Sequence, residues 1–254
     1  MWPFKKKIIE IRRPERPVFN SVICIPGYWN DAIEIFGQTE GKFMVVGDTI
    51  IDVENQRHYK FEMYGHNSEM RESFKLGGIV TQVTEDFLRQ INEHVSVIYI
   101  TGNTGNFEKA RLLAKLAELL CESGGIGVRV ETSGKAFEKD RWIELSSQGT
   151  DANIYELFVI DSLVLHNGTT YSCGMHNLGL MDVIVSGVEF REAHKLVRMF
   201  NYHRIIDKPV IKSGETFSLD IDSPKYLIIE EHQQLYDVNS LFYNPFGIWR
   251  LVRR

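Results

Sequence analysis

The sequence predicts an α/β (α+β) fold, a mixed β-sheet with helices packed against it, and three stretches carry that expectation. Val95 to Ile100 is a continuous apolar run, as in a strand buried on both faces. Phe107 to Cys121 then sets Leu112, Leu113, Leu116, Leu119 and Leu120 on one helical face, and Ile126 to Val130 reads as a second strand. Ile154 to Leu165 and Thr169 to Cys173 flank Asn167-Gly168, a pair suited to a type I′ hairpin turn, where both central residues take positive φ. Met181 to Val185 reads as a strand running into a helix over Glu189 to Ile206, with Ala193, Leu196, Val197, Phe200 and Ile205 on one side.

The remaining elements follow in order. Residues 1 to 17 hold three prolines among basic residues and read as an extended lead-in. Val18 to Ile25 is the first strand, closed by Pro26-Gly27, and Tyr28 to Phe36 has the spacing of a short helix. Phe43 to Val46 and Thr49 to Val53 flank the turn pair Gly47-Asp48, and Tyr59 to Tyr64 adds a strand. Asn67 to Lys75 is polar, helix or loop, and Gly78 to Val83 reads as a strand. Thr84 suits the N-cap of a helix ending near His94, with Glu85 and Asp86 favoured in its first turn. Residues 131 to 152 read as connection with one amphipathic piece around Phe137 to Leu145. Val210-Ile211, Thr216 to Ile221 and Lys225 to Ile229 are strand-like, and Phe246 to Val252 is expected at a sheet edge. Residues 18 to 254 are expected to form one domain, with a lobe boundary between two pseudo-similar halves near residue 77.

Charge and cysteine usage narrow the function classes. A net charge of −5 disfavours wholesale nucleic-acid binding, which needs a basic face, and suits a basic protein partner. Trp2, Phe4 and Lys5 to Lys7 begin like a signal peptide, but Glu10, Arg12 and Arg13 interrupt the apolar run. No stretch approaches the roughly 20 apolar residues of a membrane span, so no stable membrane association is expected. Cys24, Cys121 and Cys173 are odd in number and far apart with no CxxC pair, which suits a reducing cytoplasm. Cys24, in an apolar strand-like run, and Cys121, at the end of an amphipathic helix, read as buried free thiols.

Three places have the residue types of a site. Cys173-Gly174-Met175-His176-Asn177-Leu178-Gly179 packs a thiol, an imidazole and an amide between glycines. Cys173 and His176 could pair as nucleophile and base with Asn177 beside them, though such partners usually come from different elements. Thr101 to Asn106 sits where a phosphate loop would sit, but it has neither GxxxxGK[ST] nor GxGxxG. In the C-terminal segment, Tyr236, Asp237 and Tyr243 are interface candidates, with Glu230-Glu231 and Asp220/Asp222 as acidic pairs facing a basic partner. The eight histidines form no recognised zinc spacing, so no metal or other cofactor is expected.

Several runs together resemble the bacterial cytosolic family known as domain of unknown function 4261. They are His94 to Ile100, Ala110 to Leu120, Gly125 to Val128, Ala136-Phe137, Thr169 to Gly179, Asp182 to Val185 and the helix from Phe190. The family shows Thr-x-Gly and Phe-Gly where this chain has Ser172-Cys173-Gly174 and Leu178-Gly179. The likeness covers about half the chain, from His94 to Leu219, and carries no residue-level site. It implies an α/β cytosolic protein without established enzyme activity, whose relatives can stand beside polymorphic or type VI secreted toxins. The expectation is therefore an immunity protein that binds and neutralises a cognate antibacterial toxin. The alternative is a small hydrolase or modification-reversing enzyme centred on Cys173, His176 and Asn177.

Overall fold

The computed structural model describes residues 18–37, 41–231 and 233–254; the lead-in expected over residues 1 to 17, and His232, lie outside them. The chain is α+β, with the following elements in its first half: β1 (Asn20–Gly27), α1 (Ala32–Phe36), β2 (Phe43–Val46), β3 (Thr49–Asp52), β4 (Arg57–Gly65), α2 (Met70–Gly77), α3 (Glu85–Asn92), β5 (Ser96–Asn103), α4 (Phe107–Glu122), β6 (Gly127–Val130) and β7 (Lys135–Glu138). Their strands form one seven-stranded sheet in the order β2-β3-β4-β5-β1-β6-β7. Every neighbouring pair in it is antiparallel. The expected strand–helix–strand unit is β5-α4-β6, and it is split. Both strands run antiparallel to β1, which lies between them, so they are parallel to each other without touching.

Two helices, α5 (Lys139–Gln148) and α6 (Asp151–Phe158), lead to the second sheet. It contains β8 (Ile160–Val164), β9 (Thr170–Cys173), β10 (Asp182–Val185), β11 (Thr216–Phe217), β12 (Tyr226–Glu231) and β13 (Ile248–Arg253), with α7 (Phe190–Ile206) after β10. Its order is β11-β12-β13-β10-β9-β8, with one parallel pair, β10 beside β13. The two sheets therefore divide the chain between β7 and β8. Residue 77, where two similar lobes were expected to meet, is the last residue of α2, inside the connection between β4 and β5 of one sheet.

A layer of helices joins the sheets. On α4, Ala110, Leu113, Ala114, Leu116, Ala117, Leu120 and Cys121 are buried, at the three- and four-residue spacing of a core-facing stripe. They pack with Ile23, Ile25, Ile98 and Ile100 of the first sheet, Trp142 of α5 and Ile154, Leu157 and Phe158 of α6. The same cluster includes Met175, Leu178 and Ile205 from the second half of the chain. Each such side chain contributes about 1.5–3 kcal/mol by leaving water. Trp142 keeps its one polar group satisfied by donating to the Ala114 carbonyl at 3.1 Å.

Several elements differ from expectation for physical reasons. Ile154 to Phe158 is helical rather than strand, because Thr150 caps α6 by accepting from the Asn153 amide at 3.2 Å. Gly78 to Val83 is a turn: Val83 donates back to the Gly78 carbonyl at 3.2 Å, and Gln82 takes φ +59°. Within 131 to 152 there is a strand, β7, and the helix α5, and only Thr216–Phe217 of the run to Ile221 is strand. The Asn167-Gly168 turn is not type I′, since only Gly168 has positive φ. Gly168 donates to the Leu165 carbonyl and Leu165 to the Thr169 carbonyl, both at 2.9 Å, a three-residue loop with the glycine in the left-handed position. The strand expected at a sheet edge, β13, is interior, paired to β12 on one side and β10 on the other.

Candidate functional site

The Cys173–Gly179 turn lies between the two sheets and is sealed there. Gly174 (φ +110°) and Gly179 (φ +74°) frame a 3₁₀ turn over Met175–Leu178. A Cβ at Gly174 would stand 2.1 Å from the Phe158 carbonyl oxygen, and one at Gly179 the same distance from that of Gly105. Only glycine allows both the conformation and the approach. His176 and Asn177 are fully buried. The His176 Nε2–H donates to the Thr132 carbonyl at 2.9 Å, and Nδ1 lies 3.6 Å from an Asp182 oxygen without a hydrogen bond. Asn177 Oδ1 accepts from Ser21 Oγ at 2.5 Å and Thr132 Oγ1 at 2.7 Å, while Nδ2 donates to the Gly174 carbonyl at 2.8 Å. Asp182 accepts from Ser172 Oγ, the Met175 amide and Asn244 Nδ2, at 3.0, 3.3 and 2.6 Å.

Cys173 and His176 are thus neighbours in sequence but not a catalytic pair. No hydrogen bond joins them, the thiol is 1% exposed, and burial with the Asp182 charge pushes it well above the ordinary thiol range. A nucleophilic cysteine needs the opposite shift and a route for substrate. The turn instead binds β1, the β5–α4 connection and the β6–β7 connection to the second sheet. Thr101 to Asn106 is closed off by the same contact. The Gly105 amide donates to the Asn177 carbonyl at 3.0 Å, Thr104 Oγ1 bonds Ser21 Oγ at 2.6 Å, and Asn106 caps α4 through the Lys109 amide at 2.9 Å. The Thr104, Gly105 and Lys109 amides are thereby taken up within the protein, Thr104 by the Phe19 carbonyl at 2.8 Å.

The C-terminal candidates divide between packing and exposure. Tyr236 is half-buried, its hydroxyl 2.5 Å from that of Tyr171 and its ring against Phe242, and burial pushes the phenol upward. Tyr243 is half-buried and Trp249 belongs to the core of the second sheet. Glu231 is paired with Arg250 at 2.7 Å, so it offers no free charge. Glu230 and Asp237 remain exposed, Asp237 accepting from the Asn239 amide at 2.9 Å. Asp220 and Asp222 are exposed as well, and Ser223 holds the Asp220 carboxyl below its usual range. Of Tyr236, Asp237, Tyr243, Glu230 and Glu231, Asp237 and Glu230 are therefore the exposed ones.

A groove that the sequence reading missed lies on the first sheet. Its face toward α4 is covered, whereas α2 and α3 cover only part of the other, packing Met70, Phe74, Phe87, Leu88 and Ile91 over Cys24 and Val97. The uncovered part is a groove of about 740 Å³ lined by Glu62, Tyr64, His66, Asn67, Tyr99 and Thr101, among others. Tyr64 and Tyr99 meet edge to face at 5.9 Å between ring centres. Tyr64 donates its hydroxyl to Glu62 at 3.3 Å, and Lys60 pairs with the same carboxylate at 3.0 Å. The alternation of His58, Lys60, Glu62 and Tyr64 in β4 was the available signal; which of them stay uncovered is decided by where α2 and α3 pack.

Among the described residues no three His, Cys, Asp or Glu side chains come together in a way that would hold a metal ion, and no helix is long and apolar enough to cross a membrane. Buried charges occur, but as internal ties. Lys135 donates to the Val159 carbonyl at 2.9 Å and pairs with Glu156 at 3.2 Å, and Asp161 accepts from Tyr155 and from Asn201. Burial lowers Lys135, raises Asp161 and brings Arg204 down to about 10. Comparison of the chain with family models, with curated proteins and with solved structures gives no match.

Proposed function

We propose that this protein works by binding another protein through the open face of its first sheet, and that it serves in the cytosol as an immunity protein neutralising a cognate antibacterial toxin. The observation that carries the binding reading is the uncovered groove with Tyr64 exposed at its rim and half-buried Tyr99 beside it. Tyrosines of this kind anchor interfaces because a large ring is buried at little entropic cost. The sealed, protonated Cys173 supports occlusion over turnover. The net charge of −5 suits a basic toxin surface, and the family likeness noted in the sequence supplies the toxin setting.

The test captures a partner from the protein's own cells with the tagged full chain, then measures binding of that partner by calorimetry and protection against it in cells. Tyr64→Ala is expected to weaken binding by about 2 kcal/mol, near thirty-fold, and to reduce protection in step. Cys173→Ala is expected to leave both unchanged. Protection lost in Cys173→Ala with binding and fold intact would overturn occlusion in favour of a hydrolase or modification-reversing enzyme.

A further inference from the structure

We propose that His66 and His94 form a latch that holds the Gly65–Ser68 wall of the groove in place at neutral pH and releases it in acid. As regulation of the surface just described, its purpose rests on that reading; the latch itself is a property of this chain alone.

His94 follows α3 and is 2% exposed. Its bonds fix its protonation. Nδ1 donates to the Ile91 carbonyl at 2.6 Å, so the proton is there, and the bare Nε2 accepts the Asn67 amide at 3.0 Å. His66, the residue before Asn67, donates its Nδ1–H to the His94 carbonyl at 2.9 Å and stacks on the His94 ring at 4.4 Å between centres. Two successive residues of the groove wall are thereby tied to His94, Asn67 through the bare ring nitrogen and His66 through the carbonyl and the stacked ring.

A second proton on His94 would face the Asn67 N–H, donor against donor, on a ring with almost no water contact. Protonation of His66 would add a like charge in stacking distance. Burial, then the facing His66, hold His94 below the usual imidazole range. On the packed elements, Glu93 at the end of α3, Tyr28 after β1, on which Glu93 acts, and Glu69 beside the start of α2 are ionisable, and all three are exposed. Among the described residues no carboxylate is hydrogen-bonded to either ring.

The sign follows from linkage. The closed wall requires neutral His94, whereas an opened wall lets the ring bind a proton at its ordinary pKa of about 6.5. Below that pH the opened form takes up protons that the closed form refuses, so the latch weakens as pH falls. Release would free Asn67, whose carbonyl and side chain accept from the Met70 and Glu69 amides at 3.1 and 3.0 Å, and with it the start of α2. A partner seated against that wall would be held less tightly in acid.

The experiment is an NMR titration of the nitrogen-15-labelled full chain alone, following both imidazoles and the Asn67 amide between about pH 8 and pH 5. The expected result is a neutral His94 with an acceptor Nε2 at pH 7, titrating below the usual imidazole range, and an Asn67 amide that shifts and exchanges faster with the His94 midpoint. The amide of Thr104, which donates to Phe19 far from the latch, should stay still. An Asn67 amide that is indifferent to the His94 titration would overturn the proposal. His66→Asn keeps both His94 bonds and should raise the Asn67 midpoint by about half a unit to one unit, since it removes the facing ring and one tie; an unmoved midpoint takes His66 out of the latch and overturns the pair. If Asn67 responds but partner binding does not change with pH, the groove reading fails and the latch stands.

Discussion

Asn177 shows what the buried turn does at the scale of one side chain. Its amide oxygen accepts from Ser21 and Thr132 and its amide nitrogen donates to Gly174, so one neutral group satisfies donors and acceptors from both halves of the chain. Asn177→Ala should cost about 2–3 kcal/mol of stability in urea unfolding, because buried hydroxyls lose their acceptor and a small cavity opens. Asn177→Asp should cost more, since it buries a charge with no cation placed to meet it. The sequence marked this turn through its glycines, which do hold left-handed positions. It could not reveal the role of Cys173, His176 and Asn177, because their partners Ser21 and Thr132 are 156 and 45 residues from Asn177 along the chain. Cys173 and His176 read as nucleophile and base, with Asn177 beside them, only while those partners are unseen.

Single elements were legible where local signals agreed. Thr84 caps α3 as expected, accepting from the Phe87 amide at 3.2 Å, and α7 buries the stripe its spacing predicts. Helix α4 buries Leu113, Leu116 and Leu120 of its expected stripe and leaves Leu112 and Leu119 half-buried. The misreading of Ile154 to Phe158 arose because α6 passes into β8 through a continuous apolar run, with Val159 as the only residue between them. Thr150 at the head of that run was the decisive signal. Thr150→Ala should therefore destabilise the protein by about 1 kcal/mol, read as a lower urea midpoint with an unchanged slope. The interior place of β13 was not legible, since strand order depends on contacts that no local pattern encodes. Glu231 followed from it: the residue appeared to be a free acidic group until β13 brought Arg250 alongside.

Across the whole molecule, the helical layer gives the two sheets a common core. Trp142 sits in that shared cluster and Trp249 in the second sheet's own, so the two tryptophans report on different places. Unfolding is expected to be one transition, with β5 and β13 amides opening to hydrogen exchange within about 1 kcal/mol of each other. Clearly separate opening energies would show that the sheets unfold independently. The split β5-α4-β6 unit has a further consequence, for the order of assembly. Strand β1 is made before either neighbour, and the contact of Ser21 with Thr104 already spans 83 residues. Until β5 and β6 emerge from the ribosome, Ile23 and Ile25 have no sheet to enter, and the slot between those two strands must still be open when β1 arrives. Such long-range closure slows folding towards milliseconds to seconds. In that interval the newborn chain carries an unpaired apolar strand, which makes its first hundred residues a natural client for a chaperone.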